Sequence, residues 1–166
     1  MDRIEILSKG IELKEYREAG DAFAHAPISQ LIGLQVEPGV AGQSIVRLPV
    51  TVRMHNPMGA VHGGVIALLA DAAMGIAFGR TLVDTSSFAT IEMKVSYLRP
   101  VKESLLTATA QVVARGLRVG FVECVITDAR QKEIARASCT CTINSLASPG
   151  AERTSTLPQP TNGTKA

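Results

Sequence analysis

The chain has 166 residues, enough for one domain that buries more than half of the surface exposed by its unfolded form. It is 46% hydrophobic and 19% charged, with 14 glycines and no tryptophan, so aliphatic side chains must build a single core. The net charge is only +2 and the basic residues are scattered, which argues against a nucleic-acid partner. Three cysteines without C-x-x-C spacing argue against disulfides and a metal site and predict a reducing, cytoplasmic compartment.

The first 32 residues predict a helical extension. Charged and apolar residues recur with helical spacing between Ile11 and Phe23, and Pro27 begins a second short helical pattern. The N-terminus has no continuous apolar stretch of the kind found in signal peptides, so we expect no export signal. The extension would cover either the domain or a partner.

The main domain is predicted over residues 33–144. Its first part, Gly33 to Val52, predicts two strands joined as a hairpin at Pro38-Gly39. An irregular loop follows, and then an apolar helix from about His62 to Phe78. Because this helix is hydrophobic on all sides, we expect it to be buried, with Asp71 at its middle, and to be wrapped by other parts of the structure. Its length and Asp71 argue against a membrane span.

Four runs with strand periodicity follow the helix: Phe88 to Leu98, Leu105 to Ala114, Gly120 to Thr127 and Glu133 to Asn144. In the first run, strict alternation predicts that Ile91 is buried and that Thr90 faces water. The turn segments between these runs, beginning with Arg99-Pro100, predict that successive strands form antiparallel hairpins. Helices grouped apart from sequential strands imply an α+β fold. Residues 145–166 are rich in Ser, Thr, Pro and Gly and predict a disordered tail.

Polar residues and glycines stand directly before the apolar helix, in the segment that begins at Asn56. Gly63 and Gly64 allow a ligand to approach the backbone, and free N–H groups at a helix start can hold a developing oxyanion. A thioester carbonyl would fit there. Asp71 would be a catalytic carboxylate or one satisfied by backbone or hydroxyl donors, and His62 would be a catalytic or a helix-capping residue.

The spacing of two of these residues constrains the site. Eight residues separate Gly63 from Asp71, which corresponds to about 12 Å along one helix. One reacting carbon cannot touch both. If both act on the same carbonyl, they must come from two copies of the helix that run antiparallel across a twofold axis. The spacing therefore predicts a homodimer.

The other candidate motifs are weaker. The chain has no Walker loop, G-x-G-x-x-G, H-E-x-x-H or G-x-S-x-G motif. Gly116 and Gly120 predict a hairpin turn, although Arg115 and Arg118 beside it could meet phosphate. The cysteines lie in strand runs, where we expect them to fill the core as small apolar residues.

The pattern Asn56-x-x-Gly59-x-x-His62-Gly63-Gly64, followed by Asp71, resembles the signature of the PaaI-type, 4-hydroxybenzoyl-CoA-thioesterase-like hotdog family. The segment from Tyr97 to Val101 resembles the strand end that follows the helix in that family. This resemblance implies a curved antiparallel sheet wrapped around one long central helix. It also implies a dimer, usually paired into a homotetramer.

The resemblance further implies an acyl-CoA thioesterase. Asp71 would be its general base or nucleophile, and the Gly63 N–H its oxyanion donor. Asn56 and His62 would orient water or contact the thioester from the other subunit, and the Thr90 hydroxyl would help to position water. No cofactor is implied beyond the coenzyme A carried by the substrate.

The resemblance also implies that coenzyme A binds near the strand end and the following hairpin. The candidate substrate-binding residues are Gly64, Arg99, Lys102, Arg115 and Arg118. Two other functions stay open, a hydroxyacyl-thioester dehydratase or hydratase and a non-catalytic acyl-CoA-binding protein. The identity of the acyl group is open as well.

Overall fold

A computed structural model of the chain describes Phe23, residues 26–82 and residues 86–145. The predicted N-terminal helix up to residue 22 and the predicted tail from residue 146 lie outside the described residues. Nine elements follow: helix α1 (Pro27–Ile32), strands β1 (Gln35–Val36) and β2 (Gln43–Val50), one 3₁₀ turn (Val52–Met54), helix α2 (Gly63–Gly79), and strands β3 (Ser86–Tyr97), β4 (Ser104–Arg115), β5 (Val119–Thr127) and β6 (Glu133–Ser145). The predictions of α2 and of the last four strands are confirmed, each end within two residues.

The strands form one six-stranded sheet in the order β1-β2-β4-β5-β6-β3, with antiparallel pairing throughout. The predicted hairpins are confirmed for β1–β2 and for β4–β5–β6. The hairpin predicted at Arg99-Pro100 is wrong, because β3 pairs with β6 and β4 pairs with β2. Helix α2 follows β2 and crosses the sheet, so the chain reaches the far edge in β3 and must cross back to place β4 beside β2.

Helix α2 packs on one face of the sheet and contacts strands β2 to β6. The buried residues at this contact are aliphatic or small; those with at most 1% exposure include Leu48, Leu69, Ala73, Ile76, Ala77, Leu106, Val122 and Ile126. Alanines on the inner side of the helix let its backbone approach the strands closely. The expectation of an aliphatic core around one helix is therefore confirmed.

Within the described part of the chain, the sheet covers one side of α2 and leaves the other side open. Gly64 and Asp71 are exposed, and Leu68 and Ala72 are only partly buried. These residues form an open stripe along the helix, because they recur every three to four positions. Among the described residues, no helix is both long enough and apolar enough to cross a membrane.

A β-bulge interrupts β3 between Thr90 and Glu92. Thr90 lies opposite Cys141 and Met93 lies opposite Cys139, so Ile91 is the extra residue. The predicted alternation is therefore wrong on the N-terminal side of the bulge. Thr90 faces the helix instead of water, and Ile91 is 59% exposed. An extra residue in one strand exchanges the two faces of the strand beyond it.

The C-terminal end of α2 is packed against strand β5 through a glycine. The Phe78 ring lies directly on Gly120, and a Cβ atom at this position would overlap the ring. We expect Gly120→Ala to lower the free energy of unfolding by about 1–3 kcal/mol, because the ring has to move out of a packed core. Urea unfolding measures this change.

The matched control is Leu117→Ala on the same hairpin, where the side chain is 93% exposed. This control should change stability by less than about 0.5 kcal/mol. An unchanged unfolding midpoint for Gly120→Ala would show that Phe78 does not hold the helix end to the sheet.

Candidate active site

The loop before α2 is held in shape by the side chain of Asn56. Its Oδ1 accepts hydrogen bonds from the N–H groups of Met58 (2.9 Å) and Ala60 (3.3 Å). The Val61 N–H donates to the Val101 carbonyl at 2.8 Å, which ties the loop to the segment after β3. Asn56 therefore shapes the loop with its oxygen. Only its amide nitrogen is available for the role that the resemblance implies.

His62 is the N-cap residue of α2, and its Nδ1 accepts the Gly64 N–H at 2.9 Å. The helix-capping alternative is thus correct for this nitrogen. Since Nδ1 acts as an acceptor, the proton of the neutral ring lies on Nε2. Nε2 makes no hydrogen bond within the described part of the chain, and the side chain is exposed. One donor of His62 is consequently free to meet a ligand.

Gly63, the first residue of α2, presents a free backbone amide. Its N–H has no acceptor among the described residues, and the positive end of the helix dipole adds to its polarity. The Tyr97 hydroxyl donates to the Gly63 carbonyl at 3.0 Å. The Tyr97 ring covers Gly63 so closely that an added Cβ would lie 3.2 Å from Cζ of the ring. Sequence reasoning missed this role of Tyr97, because its alternation in β3 indicated only a core residue.

Asp71 lies on the open stripe of α2, next to β3. Its Oδ1 accepts a hydrogen bond from the Thr90 hydroxyl at 3.1 Å. The alternative that a hydroxyl group satisfies Asp71 is therefore correct for Oδ1. The exposed carboxylate has no ion-pair partner among the described residues. The expectation of a buried Asp71 is wrong for the single chain, since the sheet does not cover this side of the helix.

The single chain brings together two separate groups of predicted residues. Gly63 and His62 lie at the start of α2, whereas Asp71 and Thr90 lie about two turns further along. A rigid helix fixes this separation at about 12 Å. Neither group alone contains both a carboxylate and an oxyanion donor, so each group is half of the arrangement that the sequence predicts.

Arg99 and Lys102 lie near the start of α2, on the segment that also holds the preceding loop. The Arg99 guanidinium donates to the Glu133 carbonyl at 2.5 Å. The Lys102 carbonyl accepts a hydrogen bond from His55 Nε2 at 2.9 Å, and the side chain of Lys102 is left exposed. This pair flanks the Gly63 half of the site.

Arg115 and Arg118 lie at the opposite end of the helix, on the β4–β5 hairpin. The Arg115 guanidinium lies 5.8 Å from the centre of the Phe78 ring, and its Nε donates to the Thr81 hydroxyl at 3.3 Å. Burial lowers the pKa of Arg115. Arg118 is exposed at the turn. The four basic residues thus form two pairs at opposite ends of one chain and do not form a single cluster.

The three cysteines are free and buried, as the sequence predicts. Burial raises the pKa of Cys124 to about 12 and also raises the pKa of Cys139 and Cys141. All three thiols are therefore protonated and poor nucleophiles. Within residues 26–82 and 86–145, no group of His, Cys, Asp and Glu side chains is placed to hold a metal ion.

Comparison with known proteins identifies the family. Residues 58–135 match the family model of the thioesterase superfamily. A 1,4-dihydroxy-2-naphthoyl-CoA hydrolase from Listeria monocytogenes is 28% identical over 116 residues, which are 70% of this chain and 94% of the relative. The acyl-coenzyme A thioesterase PaaI of Escherichia coli is 30% identical over 124 residues, which are 74% of this chain and 86% of the relative.

A solved structure gives the same result for the fold. The E. coli PaaI protein from the phenylacetic acid degradation operon matches with a TM-score of 0.72 at 25% identity, covering 79% of this chain and 95% of that chain. The predicted hotdog fold, a curved antiparallel sheet with one long helix, is confirmed. The chain therefore belongs to the thioesterase superfamily, as a thioester hydrolase of the PaaI-type hotdog family.

Proposed function

We propose that the protein hydrolyses acyl-CoA thioesters in an active site formed between two copies of the chain. The observation that carries this proposal is the free Gly63 amide, which lies about two turns of α2 away from the open carboxylate of Asp71. An oxyanion donor and a carboxylate on one rigid helix reach the same carbonyl only from different copies. The relatives named as CoA thioester hydrolases support the substrate class.

The edge of the sheet at β3 supports the pairing of two copies. Strand β3 has 12 residues and stands last in the sheet, so one of its edges is unpaired among the described strands. Ile91 and Tyr97 on this strand are 59% and 54% exposed. A long edge strand with exposed apolar side chains is a template for a further strand. Antiparallel pairing of two β3 strands would place the open stripes of the two α2 helices together.

In such a dimer, Gly63 of one copy lies opposite Asp71 of the other, and symmetry creates two sites. The thioester carbonyl oxygen accepts the Gly63 N–H, which stabilises the negative charge that develops during attack. Asp71 takes a proton from the attacking water or attacks the carbonyl itself to form a mixed anhydride. The C–S bond then breaks, and the sulfur leaves as coenzyme A and is protonated. Attack by water gives the free acid directly, whereas the mixed anhydride must be hydrolysed by a water molecule to release the free acid and regenerate Asp71.

Three neighbouring side chains support this chemistry. Thr90 holds one carboxylate oxygen of Asp71 through its hydroxyl, so the other oxygen can face water. The free Nε2–H of His62 can donate to the thioester or to water beside Gly63. The loop shaped by Asn56 keeps His62 at the helix start. Their roles in the reaction are therefore positioning and hydrogen bonding.

The same antiparallel arrangement would bring basic residues from the two copies close together. When Asp71 of one helix faces Gly63 of the other, the C-terminal end of each helix extends about 12 Å past the start of its partner. Arg118 at the end of one copy then lies on the same side as Arg99 and Lys102 of the other. Exposed cations at this place suit the phosphates of coenzyme A.

The first test is Asp71→Asn, which keeps the shape and removes the charge and basicity. We expect hydrolysis of an acyl-CoA panel to fall by about 10²–10⁴-fold, because a general base contributes that much. Release of free thiol measures the rate, and size-exclusion chromatography checks that the dimer persists. Glu123→Gln is the matched control, since this carboxylate lies on β5 and is exposed.

Three results would overturn the assignment. The variant Asp71→Asn could retain full activity, the wild type could yield an enoyl or hydroxyacyl product without free thiol, or it could bind acyl-CoA without turnover. The last two outcomes would identify a dehydratase or hydratase and a binding protein, respectively.

The second test removes the Gly63 N–H by the substitution Gly63→Pro. Proline is favoured at the first position of a helix, and the preceding residue, His62, has the φ of −61° and ψ of 134° that proline tolerates. Gly63→Ala is the matched control, because it also adds a Cβ near the Tyr97 ring but keeps the N–H. We expect Gly63→Pro to have a kcat about 10²–10³-fold below that of Gly63→Ala.

Mixing the two defective chains tests the shared site. Dimers that contain one Asp71→Asn chain and one Gly63→Pro chain carry both defects in one site and neither in the other. Random mixing should therefore restore about a quarter of wild-type activity. If each site lies within one chain, mixing restores nothing, and the two-copy arrangement is wrong.

A further inference from the structure

Two buried thiols lie behind the pair formed by Asp71 and Thr90. Cys139 and Cys141 are both 0% exposed, and their sulfur atoms are 3.7 Å apart. Cys141 lies directly opposite Thr90 in the pairing of β3 with β6. Directly opposed residues of an antiparallel pair point to the same face of the sheet. The Cys141 side chain therefore shares the helix side of the sheet with the Thr90 hydroxyl.

The bulge in β3 places Thr90 on this side of the sheet. The register shifts immediately after Thr90, so Thr90 faces the helix although the following residues of the strand keep their own alternation. Without the extra residue Ile91, the Thr90 hydroxyl and Asp71 would lie on opposite sides of the sheet. The bulge therefore places Thr90 beside Cys141 on the helix side of the sheet, where its hydroxyl meets Asp71.

Hydrogen bonds among these groups can all run in the same direction, from the thiols through Thr90 to Asp71. Burial raises the pKa of Cys139 and Cys141, so each thiol keeps its proton and can donate a hydrogen bond. The Thr90 and Cys141 side chains are direct cross-strand neighbours on one face of the sheet, and the Thr90 proton is directed to Asp71. The Thr90 oxygen is then free to accept the Cys141 S–H. Behind it, Cys139 can donate to the sulfur of Cys141.

We propose that Cys141 is a positioning residue for hydrolysis, because its thiol donates to Thr90 and so keeps the Thr90 hydroxyl directed at the Asp71 carboxylate. This inference rests on the proposed function of Asp71. A threonine hydroxyl has one proton and two acceptor lone pairs, and it rotates to suit its neighbours. With a donor fixed on its oxygen, the proton of Thr90 has one remaining direction, towards Asp71. Successive donors in a chain also strengthen one another.

The third cysteine supplies the matched control. Cys124 lies on β5 and is 2% exposed, and its neighbours across the strands are Ala110 and Ala137. It is thus a buried thiol in the same sheet with alanines as its cross-strand partners. Cys124→Ala and Cys141→Ala delete the same atom from the core, but only the second removes a donor to Thr90.

The experiment compares kcat and KM of the full-length variants with the acyl-CoA that the wild type hydrolyses. Cys141→Ala should lower kcat about fivefold with an unchanged KM, since the loss of one hydrogen bond is worth about that factor. Cys141→Ser supplies a hydroxyl donor and should restore kcat. Cys124→Ala should keep the wild-type kcat, and thermal unfolding should show that it loses stability, as Cys141→Ala does.

A double-variant cycle links the effect to Thr90. In the Thr90→Val background, Cys141→Ala should cause no further loss of kcat, because the hydroxyl that it positions is already absent. If Cys141→Ala does not fold, Cys141→Val fills the space of the thiol without a donor and should show the same loss.

The proposal is overturned if Cys141→Ala has the wild-type kcat, if Cys141→Ser is as slow as Cys141→Ala, or if Cys124→Ala loses as much activity. These results differ from a failure of the proposed function. In that case the wild type itself would not release thiol from any acyl-CoA, or Asp71→Asn would be fully active.

Discussion

One helix has to supply both the centre of the core and the platform for chemistry. The inner side of α2 is built from alanines and aliphatic residues that pack on five strands. Its outer stripe, which contains Gly64 and Asp71, has no cover within the described chain. Oxyanion stabilisation needs a site from which water is largely excluded. On the proposed arrangement, the second copy supplies this cover, so the incomplete burial of α2 is the reason that the site needs two chains.

The position of the carboxylate depends on backbone details as much as on side chains. Asp71 comes from a regular helix, whereas its hydrogen-bond donor, Thr90, comes from a strand whose faces are exchanged by a bulge. At the other half of the site, the Tyr97 ring covers Gly63 so closely that an added Cβ would lie 3.2 Å from it. The two halves therefore use irregular backbone on β3 and glycine on α2 to bring polar groups to an otherwise aliphatic helix.

Much of this molecule can be predicted from local sequence. Glycines and polar residues before an apolar run predict the start of α2, and alternation predicts the last four strands. The pairing of β3 with β6 could not be predicted, because contacts between distant strands leave no local pattern. The bulge was equally hidden, since the alternation from Ala89 to Tyr97 continues unbroken through Ile91. The separation of Arg99 from Arg115 was missed for a related reason: loops that are near in sequence lie at opposite ends of the helix.

Because helix α2 is rigid, the spacing of Gly63 and Asp71 makes the proposed chemistry depend on the assembly of two chains. A loop could bend to bring an oxyanion donor and a carboxylate to one carbonyl, but two turns of helix packed on a sheet cannot shorten. On the proposed arrangement, each copy therefore offers an oxyanion donor at one point of α2 and a carboxylate at another. The twofold axis then pairs the donor of each copy with the carboxylate of the other. Any change that separates the two β3 edges would then remove both sites together, although no residue of either site had changed.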